Sequence, residues 1–383
     1  RMNILIVGCG RTGRRLVPAL RARGHQVAVL DRDAQALEEL VQEGFDGPTI
    51  HGPAIDADAL HQAGVESCGA VLAVTGQDDV NLMVAQMAKE LFGVPQAIAR
   101  VEDPARSQVY GERFGLELVC STELTADALL AKTDPNARRE PAAEAPAPAL
   151  PPKPHRKKPE GPRVCIVGGG KVGFHLARAL LERGQMPVLI ERDEGRCARL
   201  ANQLELPVLC GDGTSPQVLE AAGCWGAAAL VAVTGQDEAN LIACQLAKKQ
   251  FEVPRTAARV NNPKNTASLK KLGADITMCS TEILTRLLER EVETSALRHV
   301  MSLSGGQADL TEVLLPTDFA LAGQTLTQAL IPPEVVLVSI TRNERLLIPR
   351  GGTVLLPGDR VLCLARDEGL RQLMRDWKLE EKR

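Results

Sequence analysis

Three glycines near the start of the chain have the spacing that phosphate-binding turns require. Gly8, Gly10 and Gly13 match G-x-G-x-x-G and follow an uninterrupted apolar run that begins after Asn3. In such a turn the first glycine permits a tight bend, the second lets backbone approach a pyrophosphate, and the third lets the helix pack closely on the strand. The helix that follows points free N–H groups at the ligand. The spacing predicts nucleotide binding, and the alternative is a glycine-rich turn that only packs.

An acidic residue follows where a nucleotide ribose would need one. Val27–Leu30 is predicted to be the second strand, and Asp31 at its end can accept a hydrogen bond from a ribose hydroxyl. We therefore expect NAD(H) to be preferred over NADP(H), a preference that the adjacent Arg32 softens. Thr75–Gly76 and Arg100 also fall at carboxyl ends of predicted strands, which is the edge of a parallel sheet where ligands bind.

The whole unit occurs twice in one order along the chain. Val164–Gly173 repeats the strand and the glycines, Glu191 repeats Asp31, and the Thr-Gly-Gln-Asp segment at 75 recurs at 234. Matches over more than a hundred residues indicate two copies of one domain. The predicted cofactor-binding residues are Gly8, Cys9, Gly10, Arg11, Thr12, Gly13, Asp31, Arg32, Thr75, Gly76 and Arg100 in the first copy and Gly168, Gly169, Gly170, Lys171, Val172, Gly173, Glu191, Arg192, Gly211, Asp212, Thr234, Gly235 and Arg259 in the second.

Each copy alternates apolar strands with amphipathic helices, which predicts a doubly wound parallel sheet of the Rossmann-like type. The first copy is assigned to residues 2–132 and the second to 163–298, with a final helix from Thr281 to about His299. Within the first copy, strands are predicted up to Gly8 and over 27–30, 48–51, 70–74, 97–101 and 116–119, and helices over 11–23, 34–43, 56–63, 79–92 and 104–113.

Two further regions have different compositions. Nine of the thirty residues in 133–162 are proline, so this segment is predicted to be a semi-extended linker. Residues 299–383 predict a small C-terminal α+β domain without a catalytic constellation. Its elements are a strand at Asp309–Leu315, a short helix from Ala322 to Leu326, a hairpin around Asn343, a strand at Val361–Ala365 and a closing helix at Glu368–Trp377.

Composition narrows the function classes. A net charge of −3 gives no support to nucleic-acid binding. The ten cysteines form no C-x-x-C pair, which indicates reduced thiols of a cytosolic protein and no metal site. No apolar run approaches the roughly 18 residues that span a bilayer, so the chain is not expected to be the membrane channel itself.

Together these residues resemble the RCK or KTN domains, cytosolic ring-forming regulators of potassium transport, and most closely the TrkA-like regulatory subunits. The resemblance implies binding of NAD(H), ADP or ATP, a homo-tetrameric ring, and a Trk-type potassium-conducting membrane subunit as partner at the inner face of the cell membrane. Two departures from the family pattern stand out. The linker replaces a first small domain, and Pro53 stands where the second copy has Asp212. We therefore expect the two nucleotide sites to differ, with the second holding NAD(H) more tightly.

Two alternatives stay open at this point. An NAD-dependent dehydrogenase would need an acid–base group against the nicotinamide, and none of the six histidines has a companion motif. The chain could equally be the detached cytosolic gating region of an RCK-containing potassium channel.

Overall fold

The computed structural model describes residues 2–133, 163–285, 297–303 and 308–379. The chain divides into two compact units, Arg1–Thr281 and Glu282–Arg383. The first unit contains both copies of the repeat. Almost all of the predicted linker lies outside the described residues.

The first copy is a six-stranded parallel sheet in the order β3-β2-β1-β4-β5-β6. Its central strand β1 is almost fully buried, because Ile4–Val7 carry no polar side chain. This order confirms the doubly wound prediction, and its switch point lies between β1 and β4. The elements are β1 (Asn3–Val7), α1 (Arg11–Ala22), β2 (Gln26–Asp31), α2 (Ala34–Gln42), β3 (Thr49–His51), α3 (Ala57–Gln62), β4 (Ala70–Ala73), α4 (Asp78–Gln86), β5 (Gln96–Val101), α5 (Pro104–Phe114), β6 (Glu117–Cys120) and α6 (Ser121–Thr133).

The second copy repeats this architecture, and its sheet reads β12-β11-β10-β7-β8-β9. All of its strand pairs are parallel, and the switch point lies between β7 and β10. The elements are β7 (Arg163–Val167), α7 (Lys171–Glu182), β8 (Met186–Glu191), α8 (Glu194–Leu204), β9 (Val208–Cys210), α9 (Pro216–Ala221), β10 (Ala227–Ala232), α10 (Asp237–Lys249), β11 (Thr256–Val260), α11 (Thr266–Lys271) and β12 (Ile276–Cys279), followed by a helical segment, α12, at 280–285.

The two copies pack on each other through helices α4 and α10. Gln86 and Gln245, which are equivalent residues of the repeat, exchange hydrogen bonds of 3.2 and 2.6 Å between their side-chain amides. Both are buried, and buried residues of both copies belong to one continuous hydrophobic core. An interface in which equivalent residues meet is isologous, as in a two-fold dimer. The repeat is thus folded as an internal pseudo-dimer.

In its described part, the second unit contains a five-stranded antiparallel sheet followed by a closing helix. Its strands are β13 (Leu297–Leu303), β14 (Ala308–Leu314), β15 (Val335–Arg342), β16 (Arg345–Leu347) and β17 (Arg360–Ala365), and its helix is α13 (Asp367–Asp376). The predicted hairpin is present, with Asn343 and Glu344 at positive φ as a two-residue turn requires. Trp377 is fully buried in this core and donates to the Ala329 carbonyl at 3.0 Å.

Two secondary-structure predictions were wrong. The helix predicted to end near His299 does not reach it, because Leu297–Leu303 form strand β13, paired antiparallel with β14. The apolar spacing in that stretch fits both the helical and the strand period, and pairing with β14 selects the strand. The helix predicted at Ala322–Leu326 is a run of turns containing a bridge from Thr325 to Val354. Gly323 has a φ of +85°, which is incompatible with a continuing right-handed helix.

Candidate nucleotide-binding site

The glycine loops have the same strained geometry in both copies. Gly8 and Gly168 have φ values of +114° and +106°. Each donates its N–H at 2.8 Å to the carbonyl of the next-to-last residue of the neighbouring strand, Leu30 or Ile190. A side chain on Gly8 would lie 2.8 Å from the Thr75 nitrogen. The first glycine is therefore required both by its φ and by the close approach of the following strand.

The second and third glycines of each loop have different structural roles. A Cβ at Gly13 or Gly173 would lie only 1.9 Å from the carbonyl oxygen of the first glycine, so these two residues permit helix–strand packing. A Cβ at Gly10 or Gly170 would meet nothing within 4 Å. The second glycine is therefore free of any packing requirement and leaves open backbone at the mouth of the site.

Helices α1 and α7 begin with unsatisfied N–H groups. Gly10 and Gly170 are their N-caps, neither offers a side-chain cap, and the first turns contain no acidic residue. By contrast, α2, α5 and α8 are capped by Asp33, Asp103 and Asp193. Free N–H groups and the helix dipole together favour an anion. The starts of α1 and α7, next to the glycine loops, are therefore the helix ends that could bind a phosphate.

The acids at the ends of β2 and β8 hold the glycine loops. Asp31 accepts from the backbone N–H of Cys9 at 2.5 Å and of Asp33 at 2.8 Å. Glu191 accepts from the N–H of Gly169 at 2.8 Å and of Asp193 at 3.0 Å. A carboxylate has about four acceptor positions, so each acid retains capacity for a ribose hydroxyl.

In each copy, the size of the residue between the first two glycines complements the length of the acidic side chain at the end of the neighbouring strand. In the second copy a Cβ at position 169 would lie 2.9 Å from the Glu191 carboxylate and 2.4 Å from Leu200, so Gly169 has no room for a side chain. In the first copy the shorter Asp31 leaves room for Cys9, whose thiol contacts the Ala36 carbonyl at 3.3 Å. Glu191 is only 6% exposed and also pairs with Arg196 at 3.2 Å.

A buried asparagine in each copy joins two strand ends beside the loop. Asn81 accepts from the Thr75 N–H and hydroxyl at 2.8 and 2.7 Å and donates to the Arg100 carbonyl at 2.8 Å. Asn240 makes the same set of contacts in the second copy with Thr234 and Arg259. These asparagines are missing from the predicted site residues, although both lie in the segment that the two copies share. Their occurrence at equivalent positions was the signal that could have found them.

A cavity of about 380 Å³ lies at the carboxyl ends of the strands in the second copy. Nine predicted residues line it, namely Gly168, Gly170, Glu191, Arg192, Gly211, Asp212, Thr234, Gly235 and Arg259. Of the others, Gly169 and Lys171 lie in a neighbouring groove, Val172 is exposed, and Gly173 is buried under the loop. The size and the polar lining suit a dinucleotide half or a mononucleotide.

The arginine at the end of the fifth strand differs between the copies. Arg100 pairs with the carboxylate of Glu102. The position equivalent to Glu102 is Asn261, which hydrogen-bonds Asp237 and the Thr234 carbonyl instead. Among the described residues Arg259 has no carboxylate partner, and its Nε is buried without a hydrogen bond. A guanidinium in the cavity wall that lacks a counter-charge favours an anionic ligand.

In the first copy, the predicted residues cluster around the loop in the same way. Gly8 and Gly13 are buried, and Gly10, Arg11, Thr12, Arg32 and Gly76 are exposed at the same sheet edge. Thr75 is held by Asn81, and its hydroxyl also contacts the Gln77 carbonyl at 3.3 Å. The sequence predictions for both copies therefore converge on one edge of each sheet.

The first copy also contributes to the second cavity, which sequence reasoning missed. Asp79, at the start of α4, lies in the cavity wall and accepts from Arg106 of α5 at 2.8 Å. Burial raises the pKa of Asp79 to about 6, because Arg106 only partly offsets the loss of solvent and Asp212 and Glu238 add repulsion. The carboxylate is therefore ionised at neutral pH and protonates in mildly acidic solution.

The chain is similar in sequence to known protein families and to individual known proteins. The TrkA-N domain family matches residues 4–122 and again 164–280, and the TrkA-C domain family matches residues 310–376. The chain belongs to the TrkA family. The TrkA homologue of Methanothermobacter thermautotrophicus, a Trk system potassium uptake protein, is 32% identical over 212 residues, which are 55% of this chain and 97% of the relative. The Streptomyces coelicolor TrkA is 42% identical over 135 residues, 35% of this chain and 60% of that protein.

Among solved structures, the GsuK RCK domain aligns with 99% of this chain and 96% of its own length at 20% identity and a TM-score of 0.34. Because that score is low, the family assignment rests on the sequence matches. The TrkA relatives are named as potassium uptake proteins and not as enzymes. Within the described residues, no helix has the length and apolar content needed to cross a membrane.

Proposed function

We propose that this TrkA-family chain is a cytosolic nucleotide sensor that gates a potassium transporter or channel. The observation that carries the proposal is the strand–glycine–helix–acid unit, built twice in a chain whose relatives are named for potassium uptake. In each copy the glycine loop, the uncapped helix end and the acid converge on one sheet edge. The proposed partner is a Trk-type membrane subunit at the inner face of the cell membrane.

The residues favour NAD(H), with ADP and ATP as competing ligands. Asp31 and Glu191 would accept from ribose hydroxyls and repel a 2′-phosphate, while the open N–H groups of α1 and α7 would bind the phosphates. In the second site Arg259 supplies a positive charge that no carboxylate of the described residues neutralises. We infer that this site binds nucleotide more tightly than the first, where Glu102 already pairs with Arg100.

Signalling then follows from differential affinity. A nucleotide can shift the protein between two states only to the extent that it binds one state more tightly. Closed symmetry is usual for soluble homo-oligomers, so we propose a ring, a homo-tetramer, that passes this shift to the membrane subunit. The ratio of the cellular nucleotides would then set the fraction of open gates.

Titration calorimetry tests the sensing step. After removal of copurified ligand, we expect two nucleotides per chain, tighter binding of NADH than NADPH, and competition by ADP and ATP. Binding of one nucleotide or none per chain would refute the two-site proposal.

Potassium flux into vesicles that contain a Trk-type membrane subunit tests the gating step. The flux should change when this chain and a nucleotide are both present. If the potassium flux is the same with and without the nucleotide, gating is refuted even where nucleotide binding is found.

A further inference from the structure

A loop in the wall of the second cavity is held by the first copy. Arg106 of α5 donates to the Asp212 carboxylate at 2.9 Å and to the Thr214 hydroxyl at 2.6 Å. The same guanidinium binds Asp79 at 2.8 Å within its own copy. Arg106 is only 9% exposed and Thr214 only 2%, so the bond between these two side chains crosses from one copy to the other largely shielded from solvent, while the Asp212 side chain is half exposed.

The loop that Arg106 holds belongs to the ligand cavity. Gly211, Asp212, Gly213 and Thr214 all line that cavity, next to Glu191. Asp212 also accepts from the Thr214 N–H at 2.9 Å and from its hydroxyl at 2.7 Å. Burial alone would raise the pKa of Asp212, but the bonds from Thr214 and Arg106 outweigh it and lower this pKa, so the carboxylate is charged. The carboxylate oxygens are therefore engaged by the protein, and Asp212 shapes the cavity wall.

Among the described residues, the first site has no equivalent of this Arg106 cluster. The positions that correspond to Asp212, Thr214 and Arg106 are Pro53, Ile55 and Asn265. On that side Lys264 pairs across the copies with Asp58 at 2.8 Å and, more distantly, with Asp56 at 3.6 Å, and the Lys264 and Asp58 side chains are both more than half exposed. An exposed pair of this kind contributes little. Among the described residues the pseudo-dimer is thus asymmetric. In the second site the link to the other copy comes from a buried guanidinium, which binds the buried Thr214 as well as the half-exposed Asp212.

We propose that Arg106 is a positioning residue for the second nucleotide site, so that binding there is linked to docking of the two copies. This inference rests on the proposed function, since it requires that the second cavity bind nucleotide. If the docked arrangement holds the 211–214 loop in its binding shape, nucleotide must in turn strengthen the docking, because linkage between binding equilibria is reciprocal. The first copy would thereby sense occupancy of the second site without contacting the glycine loop there.

The test uses the full-length chain with NADH as the probe. Arg106→Met and the milder Arg106→Lys remove or alter the link, and Lys264→Met is the matched control, because it removes the exposed inter-copy ion pair. Calorimetry should show that Arg106→Met weakens the tighter site about tenfold, a typical coupling, and leaves the other site unchanged. Arg106→Lys should lie between wild type and Arg106→Met, and Lys264→Met should match wild type at both sites.

Hydrogen exchange supplies the reciprocal measurement. In wild type, NADH should slow exchange of the α5 amides over residues 105–114, whereas in Arg106→Met it should not. An Arg106 that only stabilises the fold would lower Tm without a site-selective loss of affinity or NADH-dependent protection of α5. Unchanged second-site affinity in Arg106→Met, or equal loss at both sites, overturns the inference while nucleotide binding by wild type stands. If wild type binds no NADH at all, the proposed function fails as well.

Discussion

Alanine substitutions at the second and third glycines should separate nucleotide binding from folding. At Gly173 a Cβ would lie 1.9 Å from the Gly168 carbonyl oxygen, about 1.5 Å closer than the 3.4 Å at which ordinary contacts begin. Helix α7 would have to move away from β7 by a comparable distance. At Gly170 a Cβ would meet nothing within 4 Å, and its φ of −71° with ψ of −171° is allowed for alanine.

The magnitudes follow from these two environments. Overpacking of a tight contact costs about 1–3 kcal/mol, so Gly173→Ala should lower Tm by about 4–8 °C at a midrange cost of about 2 kcal/mol. Gly170→Ala should leave Tm unchanged without ligand. Its methyl group would stand where backbone approaches the pyrophosphate, and losing one hydrogen bond to a charged group costs about 1.5–3 kcal/mol. That loss corresponds to an affinity about 10- to 100-fold weaker.

The first copy provides the matched pair for this experiment. Gly13 has the same 1.9 Å contact with the Gly8 carbonyl, and Gly10 has the same open surroundings. Thermal unfolding without ligand and calorimetry with NADH on the four alanine variants should therefore give two destabilised proteins and two stable proteins that each bind NADH more weakly at one site. If Gly170→Ala unfolds as early as Gly173→Ala, or binds NADH as wild type does, the division of roles within the loop is wrong.

Two further predictions concern charge. Arg259 has no carboxylate partner among the described residues, so Arg259→Met should raise Tm without ligand but weaken NADH binding about tenfold, whereas Arg100→Met should do neither. Calorimetry and thermal unfolding measure both effects, and equal effects of the two substitutions would contradict the asymmetry. Because the pKa of Asp79 is raised from 3.8 to about 6, the folded chain takes up a proton there, so this group's contribution to stability is largest below about pH 4 and is lost as pH rises through 6. The unfolding free energy of wild type minus that of Asp79→Asn, from denaturant titrations, should therefore fall between pH 4 and 6.5, and a flat difference would contradict it.

The amino-acid sequence by itself determined the repeated fold and the two glycine loops. Those features depend on local chemistry. A tight turn at positive φ requires Gly8, and a close helix–strand approach requires Gly13. A short, β-branched apolar run such as Ile4–Val7 favours a buried strand. Local rules repeat wherever the segment repeats, so the same argument located the second loop and the acid after it.

Only the tertiary structure decided what surrounds the sites. The pairing of Gln86 with Gln245 and the reach of Arg106 to Asp212 join residues more than a hundred positions apart, and no periodicity encodes such partners. Strand β13 belongs to the same class, because an ambiguous apolar stretch takes its conformation from the strand beside it. The sequence already predicted that the two sites differ, because Pro53 stands where the second copy has Asp212, but the charges behind the difference are set by the tertiary structure. The asymmetry depends on which charges find partners once the copies are packed, and burial makes each unpaired charge matter.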